Sequence, residues 1–168
     1  GAANVALNIH GMGAKPVLCS IVGKDHGAKQ VQELMHAQGL STDGVFKSEE
    51  RITSVKTRLM SGHHQLLRMD EEQTDFISET DRDTLMAFIL TFIANENPDA
   101  IIFEDYDKGT IDQNLIEAVM SVAQKVNIPV TVDPKKRNFF HYQGATLFKP
   151  NMRELVEGLN LPNLKSTE

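Results

Sequence analysis

Three short apolar runs, each ending in a charged turn, constrain this chain more than any other feature. "DAIIF" at 99–103 runs into "EDYDKGT", "IPVTV" at 128–132 into "DPKKRN", and "GATLF" at 144–148 into "KPNMRE". Between the first two lies a helical stripe of Leu115, Ile116, Val119, Met120 and Ala123, with Thr110 and Gln113 at capping-box spacing. Asn151 is expected to open a last helix ending at about Gly158, and the closing "NLPNLKSTE" reads as polar and loose. Strands alternating with helices predict βαβ units and a parallel sheet.

The first half reads differently. Ala2, Ala3, Ala6, Ile9 and Met12 space a helix that Gly11 and Gly13 stop, with no capping side chain at its head. An apolar run, Val17 to Val22, predicts a strand carrying Cys19 as a buried, inert thiol. Asp25 is placed to cap a helix over 26–38 whose inner face is Val31, Leu34 and Met35, stopped by Gly39. From about 45 to 70 the pattern turns β-like: "SVKTRLM" and "HHQLLRM" flank the turn Ser61-Gly62, with Val55, Leu59, Leu66 and Met69 alternating. This predicts a hairpin standing off the sheet as a small lid. Ser78 or Thr80 then opens a helix with Leu85, Phe88, Ile89, Phe92 and Ile93 inward, ended by "NENP".

Several function classes drop out. Lys plus Arg number 17 against 23 Asp plus Glu, and a net charge of −6 offers no long-range field for nucleic acid or an anionic membrane. The longest apolar stretch, "AFILTFIA", is far too short to span a bilayer. One cysteine permits no internal disulfide and suits a reducing, cytoplasmic setting. There is no Walker A loop and no GxGxxG, and "GMGAKP" leads into a strand rather than a helix. His63 and His64 are adjacent on a strand, so they face opposite ways and make a poor metal pair. Ser20 and Ser41 lack a histidine arranged for nucleophilic catalysis.

In open parallel sheets, ligands bind beyond the carboxyl ends of the strands. All three charged turns lie there, and each holds both acids and bases. That mixture suits a polyanion carried with a divalent metal: lysines meet phosphate, and carboxylates hold magnesium through water. The plainer reading is that the charges solvate strand ends. Asn151 and Glu154 share one helical face beside Lys149. Glu154 is therefore either a dipole-complementing acid or part of a nucleotide–metal site.

The opening "GAANVALNIHGMGAKPVLCSIVG" resembles the first signature of the ribokinase-like, phosphofructokinase-B family of carbohydrate kinases, with Gly1, Ala2, Asn4, Ala6, Gly13 and Gly23 at the matching spacing. "NMRE" resembles the family's NxxE motif, and the hairpin resembles its β-lid. Within the family, "RITSVKTRLMSGHHQLLRMDEE", "DYDKGT" and "VDPKKRNFFHYQGATLFKPN" are similar to segments of the bacterial heptose-7-phosphate kinases of lipopolysaccharide-core synthesis. The resemblance implies a three-layer α/β sandwich with a mainly parallel sheet and a small hairpin lid, here one partial kinase domain with a lid insertion at about 45–70. It implies ATP and Mg2+ as cofactors, a sugar phosphate as substrate and a homodimer joined through the lid. Gly1 and Asn4 would meet the sugar. Lys56, Arg58 and Arg68 would hold the substrate's existing phosphate. Asp105 and Lys108 would also serve the substrate, and Lys108 would help neutralise the transferring phosphoryl. Lys135, Lys149, Asn151 and Glu154 would serve the nucleotide, with Glu154 reaching the metal through water.

The sequence departs from the family at both ends. It begins after the family's first strand, which carries a sugar-binding Asp. It also contains no GAGD-type segment, the family's source of the catalytic Asp and the anion hole. No catalytic base is therefore assigned among these residues, and the chain alone is expected to be inactive. A non-catalytic sugar- or nucleotide-binding or dimerising domain stays open beside the kinase reading, as do fructose 6-phosphate and a nucleoside as substrates.

Overall fold

The structure is a computed structural model describing residues 1–161. The stretch 162–168, most of the tail expected to be loose, lies outside the described residues. The chain divides into two compact units, Gly1–Leu85 and Met86–Glu168.

The first unit holds helix α1 (Ala2–Gly11), strand β1 (Ser20–Gly23), helix α2 (His26–Ala37), strand β2 (Val45–Ser48), the antiparallel strands β3 (Val55–Ser61) and β4 (His64–Glu71), and the start of helix α3 (Glu79–Glu96). β1 and β2 pair in parallel, with Ser20 opposite Val45 and Gly23 opposite Ser48. This corrects the lid boundary. Val45–Ser48 belongs to a β1–α2–β2 crossover rather than to the hairpin, because Val45 is 6% exposed and Ser48 is 2% exposed in the paired register. Met35, Leu40 and Val45 pack together with Leu18, Val22 and Val31. Leu34, expected inside, is 67% exposed, one position off the Ala28–Val31–Met35 stripe. Asp25 caps α2 as expected, accepting from Ala28 N at 2.8 Å. The expected strand at 17–22 forms only from Ser20, where Gly44 O first accepts a ladder bond (2.9 Å). Cys19 therefore falls just before the strand and is half-buried rather than buried, and burial pushes its thiol up to about 11.

The hairpin register is Val55↔Glu71, Thr57↔Met69 and Leu59↔Leu67, with a bulge beyond Leu59. Side chains alternate across a strand, so Val55, Leu59, Leu67 and Met69 share one face. Leu66, expected on that face, sits at the bulge instead. The base is clamped: Arg51 donates to Asp75 O at 2.6 Å, and Ile52 N to Gln73 Oε1 at 2.8 Å.

The second unit holds the rest of α3, strand β5 (Ile101–Glu104), helix α4 (Gln113–Lys125), strand β6 (Val130–Asp133), a 3-10 turn (Lys136–Asn138), strand β7 (Leu147–Phe148) and helix α5 (Met152–Gly158). The three strands form a parallel sheet in the order β5-β6-β7. The whole predicted stripe of α4 is buried, from Leu115 to Ala123. Leu115, Ile116, Val119 and Met120 each contribute about 1.5–3 kcal/mol by leaving water. The cap is not the expected Thr110–Gln113 box. Asp112, a stronger cap, accepts from Leu115 N at 2.8 Å, and Gln113 turns to Glu117. Asn97 and Asn127 end α3 and α4 in left-handed conformation (φ 44° and 59°). On α3, Leu85 and Ile93 are fully buried, while Phe88, Ile89 and Phe92 are only partly so. Among the described residues no helix is long and apolar enough to cross a membrane.

Helix α5 is held against the 3-10 turn by its end: a Cβ at Gly158 would strike the Phe139 ring. Phe139 in turn packs edge-on against Phe148 at 5.0 Å. Gly158→Ala should therefore destabilise the chain by about 1–3 kcal/mol through overpacking. Gly11→Ala, where a Cβ meets nothing within 4 Å, should instead stabilise it by about 0.4–1 kcal/mol. Urea unfolding of both variants checks the contrast, and equal effects would reject it.

Candidate functional site

Parallel pairing brings the carboxyl ends of β5, β6 and β7 side by side. Glu104 stands in register with Asp133, and Asp105 N donates to Asp133 O at 3.1 Å, carrying the ladder one residue further. Lys149 follows β7, and its Nζ lies 3.6 Å from Asp133 Oδ1. Burial, and then the neighbouring Asp133 charge, hold the Glu104 carboxyl above its ordinary value, against Lys149 and Lys135. Burial and then Glu104 push the Tyr106 hydroxyl up as well.

Asn151 caps α5 with a reciprocal box. Its Oδ1 accepts from Glu154 N at 2.9 Å, and Glu154 Oε2 accepts from Asn151 N at 2.8 Å. The other Glu154 oxygen is paired with the Lys135 ammonium. Burial, the largest influence on Glu154, raises its pKa. Lys135, the Asn151 amide and Lys149 outweigh it, so the carboxyl lies below its ordinary value. Lys135 mirrors this: burial pulls it down, but Glu154 and Asp133 leave it raised. Asn151, Glu154, Lys135, Lys149, Asp133 and Glu104 therefore form one rim of alternating charge, as the strand-end turns suggested.

Asp105 is not on that rim. It is 4% exposed, and its oxygens accept from Asp107 N (2.7 Å), Tyr142 Oη (2.9 Å) and Asn138 Nδ2 (3.0 Å). Its carboxylate is consumed internally, which corrects its assignment to a substrate. The partners Tyr142 and Asn138 were missed. The signal was there: an aspartate in a buried turn needs donors, and "NFFHY" supplies both. Lys108, on the same turn, is half-buried.

The remaining candidates lie in the first unit. Gly1 is the N-cap residue of α1, and no side chain caps that end. Asn4 is exposed, and its backbone N donates to Gly1 O at 2.9 Å. On the charged face of the hairpin, Lys56 pairs with Asp70 (3.0 Å) and Glu72 (2.9 Å), and Arg68 grips Asp70 with Nε and Nη2 (2.8 and 2.6 Å). Arg68, then Lys56, hold the exposed Asp70 carboxyl well below the usual range. Arg58 stands directly opposite Arg68. Like charges facing across a strand pair repel.

Among the described residues no group of three or more His, Cys, Asp or Glu side chains is gathered to hold a metal. Glu154 has both oxygens engaged and an 8% exposed side chain, so neither oxygen is open to bond a metal directly in this arrangement.

The rim thus stands at the carboxyl ends of a parallel α/β sheet, the place where such sheets hold ligands. The pattern of the pfkB family carbohydrate kinases matches residues 1–168, and the chain belongs to that family. Bifunctional protein HldE of Methylobacillus flagellatus is 37% identical over 161 residues, which is 96% of this chain and 33% of that protein. The protein of the same name from Helicobacter pylori is 35% identical over 161 residues, covering 96% of this chain and 34% of its own length. The chain thus spans about a third of the curated relatives it matches. Phosphofructokinase-2 of Escherichia coli superposes with a TM-score of 0.74 at 18% identity, over 99% of this chain and 54% of that one. Ribokinase of Arabidopsis thaliana, solved with ribose and ATP, superposes at 0.65 and 14% identity, over 98% and 52%. These likenesses establish the ribokinase-like α/β fold.

The Lys135–Glu154 pair has a pH signature. Glu154 has a folded pKa below its ordinary 4.5, so it contributes stability that is complete above that value and lost as pH falls through the lower folded value. Glu154→Gln keeps an acceptor for Asn151 N but removes the charge. Its destabilisation should be largest near neutral pH and should shrink as pH drops below 4.5. Thermal melts across that range check this, and a pH-independent difference would reject the pairing.

Proposed function

We propose that the complete protein is an ATP-dependent sugar-phosphate kinase, transferring the terminal phosphoryl group of ATP to the anomeric hydroxyl of a heptose 7-phosphate in lipopolysaccharide-core synthesis. The observation that carries this reading is the alternating rim at the ends of β5, β6 and β7 in a chain of the pfkB family. The HldE relatives over almost the whole chain and the three segments similar to heptose-7-phosphate kinases support the substrate. Phosphoryl transfer needs positioning and charge neutralisation more than covalent chemistry. Lys135 and Lys149 rest against Glu154 and Asp133, so their ammonium groups are already oriented when a phosphate displaces the carboxylates. Lys108 joins them from the β5 turn. Magnesium, when bound with the nucleotide, supplies further neutralisation of the phosphates, and Glu154 with Asn151 would hold it through water. Asn4 and the Gly1 backbone serve the sugar hydroxyls. No residue among these 168 is assigned as the base that takes the hydroxyl proton, since they hold no GAGD-type segment. A reducing, cytoplasmic setting fits ATP use and a single cysteine.

The hairpin supports two further roles. Lys56 and Arg68 are engaged by Asp70 and Glu72, and Arg58 faces Arg68 with no acid opposite it in the register. Arg58 is thus the lid cation best placed to take the substrate's existing phosphate. The other face exposes Leu59 (55%), Leu67 (50%) and Met69 (52%). Two-stranded hairpins are marginal in water on their own, so a second copy joined lid to lid is the partner we assign. A non-catalytic binding or dimerising role is the second reading.

An ADP-release assay on the complete protein with magnesium-ATP should show turnover with heptose 7-phosphate well above that with fructose 6-phosphate or a nucleoside. No sugar-dependent turnover would favour the second reading. Arg58→Ala should raise KM for the phosphorylated sugar about tenfold or more, the loss of a charge-assisted hydrogen bond. An unchanged KM would remove Arg58 from the phosphate site. In sedimentation at micromolar concentration the complete protein should run as a dimer, and Leu59→Lys with Leu67→Lys should give monomer. A wild-type monomer would reject the lid interface.

A further inference from the structure

We infer that Asp105 is a positioning residue: its buried carboxylate locks the 105–111 turn to the 137–142 segment and so sets where Lys108 stands relative to Lys135. The inference rests on the kinase reading for its consequence, but its geometry is independent of it. Asp105 leaves β5 still hydrogen-bonded to β6, through its N and Asp133 O at 3.1 Å. The side chain turns inward. Oδ1 accepts from Asp107 N at 2.7 Å, which closes a tight turn on its own backbone. That bond supports Asp107 in left-handed conformation, φ 55°, an uncommon place for a residue with a side chain. Gly109 is also left-handed, φ 75°. Lys108 is thus bracketed by two left-handed residues, and its backbone is closely specified.

The outer anchors come from the other segment. Asp105 Oδ2 accepts from Tyr142 Oη at 2.9 Å and from Asn138 Nδ2 at 3.0 Å. Asn138, 2% exposed, also donates from Nδ2 to Ile111 O at 3.0 Å, so one amide holds both ends of the turn. Arg137 Nε adds a pair with Asp107 Oδ1 at 2.8 Å. Lys135 lies two residues before the segment that these contacts fix. Burial, and then the Asp105 charge, push the Tyr142 hydroxyl far above its ordinary range, so it stays a donor. A buried carboxylate is weak evidence for stability, since apolar replacements of buried charges often cost nothing. What this one supplies is a single fixed geometry between two loops that carry phosphate-seeking cations.

The test uses the complete protein. Asp105→Asn and Tyr142→Phe should lower kcat by about ten- to a hundredfold while KM for ATP changes less than about threefold, because misplacing a charge by an ångström acts on the transition state. In a Lys108→Ala background, Asp105→Asn should cost less than about threefold further, since coupled residues are not additive. Full additivity, or wild-type kcat in both single variants, would overturn the inference. Amide hydrogen exchange at 107–111 should quicken in Tyr142→Phe, whose fold circular dichroism verifies. Unchanged exchange would overturn the lock even if the wild type has no kinase activity, the outcome that would sink the kinase reading by itself.

Discussion

Parallel pairing of β5, β6 and β7 is the constraint on which the second unit depends. Each strand is only two to four residues long, so the ladder ends almost as soon as it begins. Its carboxyl ends are nonetheless brought level, with Glu104 beside Asp133 and Lys149 just beyond. Residues 45 positions apart in sequence, Glu104 and Lys149, thus join one rim. Without the parallel register these charges would be three unrelated turns. With it they become a row in which every lysine has a carboxylate neighbour and no large single-sign field accumulates. In a chain of net charge −6 the cations of this rim are thus met locally, each by a carboxylate.

The period of the apolar pattern made the architecture legible. The α4 stripe, the α2 cap at Asp25 and the last helix opening at Asn151 were all readable from residue type and spacing. What was not readable depended on partners distant in sequence. Val45–Ser48 looked like the start of the hairpin because nothing local says that it pairs with Ser20–Gly23. Leu66 and Leu67 are adjacent and chemically equal, and only the bulge decides which one joins the apolar face. Asp105 looked like its exposed neighbours in "EDYD". Strand alternation turns Glu104 to one face and Asp105 to the other, where Tyr142 and Asn138 wait.

The strand-end acids illustrate how one residue type takes different roles by environment. Glu104 is half-buried beside a like charge, and its carboxyl is raised. Glu154 is more buried, yet it is lowered, because an ammonium and an amide meet its two oxygens. Asp105 is buried furthest and serves as the centre of an internal network. The number of donors that reach each carboxylate therefore decides its role better than burial does. The NxxE spacing serves a helix cap and an ion pair together, since the cap uses one Glu154 oxygen and Lys135 takes the other.

The same accounting separates the lid arginines. Asp70 accepts Arg68 through two oxygens and takes Lys56 as well, while Glu72 also takes Lys56. Arg58 lies across from Arg68 in the register, so the repulsion between the two guanidinium groups is only partly relieved by an acid already shared. An exposed two-stranded sheet gains little from holding such a pair. An anion bound between them would relieve the repulsion and order the hairpin at the same time. Ligand binding and lid order would then be linked by one charge balance, and the apolar face behind it would be presented in a single register.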